Sequence, residues 1–373
     1  YRGTETALEV SWDPPGGRGE QTETECVVLR RRFEAAHERL FGYHRPDHLV
    51  EVATVRVATS TERSSVQQLR LSPRDEPPRA IRQSLLWTGA SFEQASLFER
   101  ETLRPGYRLT GPAIVLEDTG TIVVDSGFEL TVDERGWIWL APIERPDPAP
   151  VGAARDPVTL GLFINQFSSI AEQMGEALRR TASSTNIRER RDFSCAVFDR
   201  QGSLIANAPH IPVHLGGMDH AVRSLIAAVD DWRPGDAFAT NDPACGGTHL
   251  PDITVVSPVF APSGDLAFFV ANRGHHADVG GIAPGSMPPE ARCLADEGVV
   301  LSCLRVVHAG RLDEARWREA MGSGPHPARD PDQNLADLEA QLAANHTGAA
   351  LLAELVDERG YRTVEAYMGH ILD

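Results

Sequence analysis

Between Asn241 and Gly281 the chain bends wherever glycine or proline allows it and gathers metal-ligand side chains at the bends, a pattern that neither a regular helix nor a single strand accommodates. The stretch reads NDPACGGTHLPD, then two apolar runs, then RGHHADVGG, and it holds Asp242, His249, Asp252, His275, His276 and Asp278. His249 and Asp252 flank Leu250 and Pro251; the proline denies a helix, so a tight turn presents imidazole and carboxylate together. VVSPVFAPSGDLAFFVANRG follows as two strands about a Pro-Ser-Gly-Asp turn. Such a hairpin brings the chain back and sets His275 or His276 beside the turn it left. Two imidazoles and one carboxylate leave coordination positions open for water and substrate, as a hydrolytic metal centre requires, and the set suits zinc, manganese or iron. The competing reading is a glycine-rich loop whose histidines are merely hydrogen-bonded; the number of ligand types at bends favours the metal.

At 373 residues the chain exceeds one ordinary core, and two domains are expected. Hydrophobic content of 41% and charged content of 24% are those of a soluble globular protein. A net charge of −17 without a basic stripe argues against a nucleic-acid partner. No apolar run approaches the roughly 20 residues that span a bilayer, so no membrane association is expected. The five cysteines are scattered, odd in number and without a CxxC pair, which fits free thiols in a reducing cytoplasm. The chain starts at Tyr1 inside an alternating run, YRGTETALEVSW, and an upstream portion is expected.

The patterning predicts an α+β fold: a small, mainly antiparallel β domain over 1–145, a linker over 146–155, and a larger mixed α+β domain over 156–373. In the first half, residues 1–12 read as a strand, Phe33 to Tyr43 as a helix stopping at Gly42, with His37 on its packing face, and Leu49 to Thr59 as the clearest strand. Arg63 to Arg82 reads as a loose connection. From Gly106 short strands alternate with Gly-Pro, Asp-Thr-Gly, Asp-Ser-Gly and Glu-Arg-Gly turns. The proline-rich stretch from Pro142 to Pro157 separates the halves.

Beyond it, Val158 to Ala182 has the spacing of an amphipathic helix, Phe193 to Phe198 reads as a buried strand, and a turn at Asp199 leads into Ser203 to Ala206. Asp192, at the mouth of that strand, is a further candidate carboxylate, with an ion-paired surface aspartate as the alternative. His210 and His214 fall in an extended loop that could aim either into a pocket, followed by a short helix from Asp219 to Val229. Ile282 to Pro289 reads as a possible lid, with a buried strand around Val299 to Val307. Asn334 to Val356 reads as a long helix, whose Asn345-His346-Thr347 sequon carries no weight without a sign of secretion, and 357–373 as chain without a folding signal, so that truncation there is also expected.

DFSCAVFDRQGSLIANAPHIPVHLGGM, GGTHLPD and RGHHADVGGIAPGSMPP resemble the hydantoinase B / 5-oxoprolinase family. YRGTE, FEAAHERLFGY and GPAIVLEDTGTIVVDSG resemble the C-terminal part of the hydantoinase A module that precedes hydantoinase B in the fused enzymes. The resemblance implies ATP-dependent opening of a cyclic amide, foremost 5-oxo-L-proline to L-glutamate, with a place in glutathione metabolism. It implies an A module that phosphorylates the amide using ATP and magnesium, and a B module whose divalent metal (zinc, manganese or iron) completes ring opening with water. Carried over by motif, the ligands are His249, Asp252 and His275, with His276 the rival for the third place and Asp192 a fourth; His276 and Asp278 are assigned to catalysis, His214 and Asp242 to substrate binding.

No phosphate-binding glycine loop occurs here, so ATP use is expected only with the missing hydantoinase A portion as partner. The other expected partners are a small cyclic amide and further copies of the chain in a homo-oligomer. A hydantoinase, lactamase or carboxylase relative with another substrate is the nearest alternative. A non-catalytic scaffold and a Cys245 nucleophile are the others; Cys245 stands where a small residue is expected, and no histidine-carboxylate order activates it.

Overall fold

A computed structural model describes residues 1, 7–12, 23–58, 78–88, 91–143, 152–208 and 211–373. Packing divides the chain into two compact units, Tyr1–Thr54 with Val151–Asp373, and Val55–Pro150. The expected linker falls largely outside the described residues.

The first described element is helix α1 (Glu23–Phe41), which begins well before the expected Phe33. Phe33, His37 and Phe41 recur at helical spacing and are buried, and Tyr1 packs edge-on against Phe33 and His37. His37 is a packing residue, its Nδ1 2.7 Å from the Tyr43 carbonyl. Gly42, at φ 80°, ends the helix. Arg45, ion-paired with Glu339, ties this segment to the rest of its unit. Two expected strands are absent among the described residues. The chain is irregular over 7–12, and also over 49–58, where Leu49, Val52, Val55 and Val57 stand exposed. Alternation there finds no described partner strand, and without a ladder a single extended run is not a strand.

The Val55–Pro150 unit is built from β1 (Arg82–Trp87), β2 (Phe92–Glu99), β3 (Arg108–Thr110), β4 (Ala113–Leu116), β5 (Thr121–Val124), β6 (Phe128–Val132) and β7 (Ile138–Pro142). They form a four-stranded sheet, order β1-β2-β4-β5, and a three-stranded sheet, order β3-β6-β7. Only the β2–β4 pair is parallel. Phe98, Leu103, Tyr107, Leu109, Val115, Val124 and Leu130 close the core.

The larger unit continues with α2 (Pro157–Thr181), α3 (Thr185–Arg188), β8 (Phe193–Phe198), β9 (Leu204–Asn207) and α4 (Pro212–Ala228). Next come β10 (Ala237–Thr240), β11 (Asp252–Phe260), β12 (Leu266–His275), α5 (Leu294–Glu297), β13 (Leu304–His308), β14 (Arg311–Leu312), α6 (Glu314–Met321), α7 (Pro331–Arg359) and α8 (Tyr361–Leu372). Its seven-stranded sheet, order β14-β13-β10-β11-β12-β8-β9, is antiparallel throughout. Successive residues of a strand face opposite ways. Val197 and Val270 therefore meet Phe163, Phe167 and Met174 of α2, while Phe198, Val256, Phe269 and Ala271 meet Met218, Val222 and Leu225 of α4. The sheet is thus the middle of three layers, and the chain is α+β as its patterning implied.

Three expectations fail here. The stretch around His214 is no extended loop: Pro212 takes the first helical position, where its missing N–H costs nothing, and α4 runs from there. His210 lies outside the described residues. The strand expected from Val299 begins only at Leu304, as β13; Val299 and Leu301 are buried but lie outside any strand, with their carbonyls bound by the side chains of Asn241 and Thr240 (Asn241 Nδ2 to Val299 O 2.9 Å; Thr240 Oγ1 to Leu301 O 2.9 Å). Residues 361–372, expected to lack a folding signal, form α8. Val364, Tyr367 and Met368 are buried, and the Tyr367 ring stacks on Phe163 at 4.5 Å. Helix α6, not foreseen, buries Trp317 and Met321.

Helix α7 carries a buried polar row, Asn334, Asp337, Gln341 and Asn345, on the side facing the sheet. Gln341 Nε2 donates to Ile253 O (2.8 Å) and Asn345 Nδ2 to Val255 O (3.1 Å), and Asn272 Nδ2 donates back to Gln341 O (2.7 Å). These bonds fix the register of helix on hairpin, and they bury the sequon asparagine.

Candidate metal centre

The β11–β12 hairpin pairs Asp252 directly with His275. The turn before β11 sets His249 close by, with Asp252 N donating to His249 O at 3.0 Å. The result is a group of His249, Asp252 and His275 whose candidate ligand atoms all lie within 4.8 Å of one another. His249 Nδ1 is 3.0 Å from Asp252 Oδ2 and His275 Nδ1 is 3.0 Å from Asp252 Oδ1, so the carboxylate is shared between two imidazoles. Thr248 Oγ1 donates to Asp252 Oδ2 as well.

Two more expected residues join the group. Asp192 lies at the mouth, with Oδ2 3.7 Å from His275 Nδ1. Its backbone is fastened on both sides, N to Asn186 O and O to His275 N, each at 3.0 Å. His214, in the first turn of α4, points Nε2 at Asp252 Oδ2 (3.2 Å) and Asp192 Oδ1 (3.5 Å), with Ser194 Oγ 3.4 Å behind its Nδ1. The His249 and Asp192 side chains are 33% exposed, while Asp252 is fully buried. The group is therefore open on the His249–Asp192 side and closed below.

Burial opposes ionisation of Asp252, but hydrogen bonds from His214, His249 and His275 outweigh it and hold the carboxyl far below the usual range. The bond to Asp252 pushes the His249 imidazole up, against the opposing effect of its own burial. A buried carboxylate ringed by imidazoles, with a second carboxylate at an open mouth, is a donor set that fits a divalent cation such as zinc, manganese or iron.

The structure does not bring the other candidates to this group. His276 follows the last residue of β12 and turns toward α7. There its Nδ1 accepts from Asn334 Nδ2 (3.1 Å) and its Nε2 donates to Gln341 Oε1 (3.1 Å). Both ring nitrogens are committed, and burial pushes its pKa down. Asp278 accepts from the amides of Gly280 (2.9 Å), Gly285 (3.0 Å) and Arg329 (3.1 Å) and pairs with the Arg329 guanidinium at 2.7 Å, which pins the following loop. Asp242 caps the short 3-10 turn Pro243–Cys245 and accepts from Ser302 Oγ at 2.7 Å. Cys245 is half-buried, as is Cys303.

Sequence reasoning passed over Ser194, Thr248, Thr254 and Arg273, which surround the group from below. Their signal was strand alternation: Arg273 shares a face of β12 with His275, and Thr254 shares a face of β11 with Asp252.

Among the described residues, no helix is long and apolar enough to cross a membrane. The family model described as hydantoinase B/oxoprolinase matches residues 156–373, and that described as hydantoinase/oxoprolinase C-terminal domain matches residues 32–141. A 5-oxoprolinase of Dictyostelium discoideum is 36% identical over 100% of this chain, and the chain spans 28% of that relative. A crystal structure of an ATP-dependent caprolactamase from Pseudomonas jessenii superimposes with a TM-score of 0.54 at 28% identity, covering 59% of this chain and 37% of that one. An acetone carboxylase structure superimposes with a TM-score of 0.53 at 22% identity, covering 57% of this chain and 28% of that one, a likeness of fold. With a fold, a ligand group and two matched segments in the fused order, the chain belongs to the hydantoinase B/oxoprolinase family.

Proposed function

We propose that this chain is part of an ATP-dependent cyclic amidohydrolase of the 5-oxoprolinase type and holds its hydrolytic metal centre, with the overall reaction 5-oxo-L-proline, ATP and water to L-glutamate, ADP and phosphate. The observation that carries this reading is the His249, Asp252, His275 group at the end of the hairpin, open on one side. Similarity to 5-oxoprolinases over the whole of this chain, which spans 28% and 30% of two of them, supports the substrate.

His249, Asp252 and His275 would hold zinc, manganese or iron, with Asp192 as a fourth ligand at the mouth. A cation there supplies Lewis acidity and brings the pKa of a bound water from about 15.7 towards ~7. Asp252 supplies the negative charge that binds the cation and orients His249 and His275 through its two oxygens. His214, its Nε2 3.2 Å from Asp252 and 3.5 Å from Asp192 and its side chain buried, would orient the two carboxylates from below rather than bind substrate. The closed floor excludes water from the ligand side, and the exposed edges of His249 and Asp192 face the cyclic amide. ATP and magnesium would enter through a hydantoinase A portion acting as this chain's partner. The reading places the enzyme in the cytoplasm, in glutathione metabolism, as a homo-oligomer.

The test is elemental analysis of the purified chain beside His249→Ala, Asp252→Ala and His276→Gln. About one equivalent of metal is expected, lost in the first two variants and kept in the third, whose histidine faces α7. No metal in the folded wild type after reconstitution refutes the centre. A larger lactam as substrate is the second reading, favoured by the likeness to a caprolactamase; turnover of 5-oxoproline against caprolactam, with the ATP-binding portion supplied, separates the two.

A further inference from the structure

Below the ligand group lies a buried cation that the proposed chemistry does not use. Arg273 is fully buried, and its three bonded nitrogens all meet neutral oxygens: Nε donates to Thr254 Oγ1 (2.7 Å), Nη1 to His214 O (3.0 Å) and Nη2 to Gly246 O (2.8 Å). Taking a guanidinium out of water costs several kcal/mol even after relaxation, and among the described residues no carboxylate bonds it directly. Burial pushes its pKa down, opposed by the charge of Asp252.

The position of Arg273 in the sheet shows what it holds. Across the ladder it lies opposite Thr254 on β11 and Ser194 on β8, two residue pairs along from the Asp252–His275 pair and on the same face. The two carbonyls it grips belong to the two segments that arrive at the group from outside the hairpin: the first turn of α4, carrying His214, and Gly246, three residues before His249. Those segments touch backbone to backbone. A Cβ on Gly217 would come within 2.9 Å of Gly246 O, and one on Gly246 within 2.5 Å of Ala221 N. Contact this close lets one planar guanidinium reach both carbonyls with parallel N–H groups, a span that the single ammonium of lysine cannot cover.

We infer that Arg273 is a positioning residue of the proposed metal centre: its guanidinium clasps the His214 and His249 segments onto β11 and β12, and so sets where both imidazoles stand against Asp252. The inference rests on the metal-centre reading above and adds to it a residue that touches no ligand atom. Outer groups of this kind typically change metal affinity by about 10–100-fold.

The test is a Co(II) titration of the full chain, read by the ligand-field spectrum and by competition with a chelator, for wild type, Arg273→Met, Arg273→Lys, Thr254→Val and Leu352→Ala. Leu352 belongs to the α2–α7 core away from the group and serves as a destabilised control. Arg273→Met and Arg273→Lys are expected to lose about 10–100-fold in Co(II) affinity and to alter the spectrum. Thr254→Val, which removes one of three acceptors, should fall between them and wild type. Leu352→Ala should melt lower yet bind with wild-type affinity and spectrum. If Arg273→Met does not fold, Arg273→Lys and Thr254→Val decide. Unchanged affinity and spectrum in the folded Arg273 and Thr254 variants overturn the positioning role while the metal centre stands. An equal loss in Leu352→Ala also overturns it, since the effect would then be general destabilisation. A wild type that binds neither Co(II) nor zinc removes the metal centre itself and the inference with it.

Discussion

Replacing Gln341 by methionine keeps the length and the apolar stem of the side chain and deletes its amide. That amide spans two groups that sit next to residues of the proposed metal centre: Nε2 binds Ile253 O at 2.8 Å, beside Asp252, and Oε1 accepts from His276 Nε2 at 3.1 Å, beside His275. Ile253, His276 and Gln341 are all fully buried, so no solvent replaces the lost partner. Two orphaned buried groups at about 1–3 kcal/mol each, less the relief of no longer burying the amide, give a loss of about 2–4 kcal/mol. Urea unfolding followed by the fluorescence of Trp317, whose ring lies 6.2 Å from that of His276, should show a lower midpoint with an unchanged slope. A loss below about 1 kcal/mol would refute the reasoning, because α7 would then be held by apolar packing alone and its polar row would carry no net stability.

Arg45→Met should leave Glu339 buried without its counter-ion at a cost of about 3–5 kcal/mol. Burial already raises the Glu339 pKa against the pull of Arg45, and losing Arg45 raises it further. The penalty should therefore be small at and below the ordinary carboxyl value and grow as pH rises through the raised folded value of Glu339, which stability curves at acid and neutral pH would check; adding Glu339→Gln should recover most of the loss. Phe163→Ala should cost about 3–5 kcal/mol and speed proteolysis within 361–372, since α8 stacks Tyr367 on that ring. Arg329→Ala should lower global stability by no more than about 1 kcal/mol, the pair with Asp278 being partly exposed, yet accelerate hydrogen exchange at Gly280 and Gly285.

The parts of the fold legible in the sequence are those whose signal is local. The hairpin declares itself through two apolar runs about a Pro-Ser-Gly-Asp turn, and α2 and most of α7 through a repeating apolar face. The choice between His275 and His276 was also there to be made: Asp252 pairs with His275, and alternation sends the next residue to the α7 side. What stayed hidden depends on partners distant in sequence. Leu49 to Thr59 alternates like a strand, but a strand exists only through its neighbour, and the described residues 49–58 have none. Gly216 and Gly217 read as loop residues, yet Gly217 belongs to a helix because Gly246 presses against it. Asp242 and Asp278 looked chemical because carboxylates at bends serve both as ligands and as caps, and the distinction lies in which amides surround them.

The pairing of Arg45 with α7 joins residues far apart along the chain; its guanidinium also reaches Ala336 O, across a separation of 291 residues. On a ribosome adding about 5–20 residues per second, Arg45 waits on the order of 15–60 s before the helix it pairs with has been made. The intervening β unit has every described strand within 82–142, all of it made before α7. Synthesis therefore orders assembly from the inside outward. Until α7 is made, the segment that carries Phe33, His37, Phe41 and Arg45 lacks the helix it packs on, and its apolar face stays uncovered on that side.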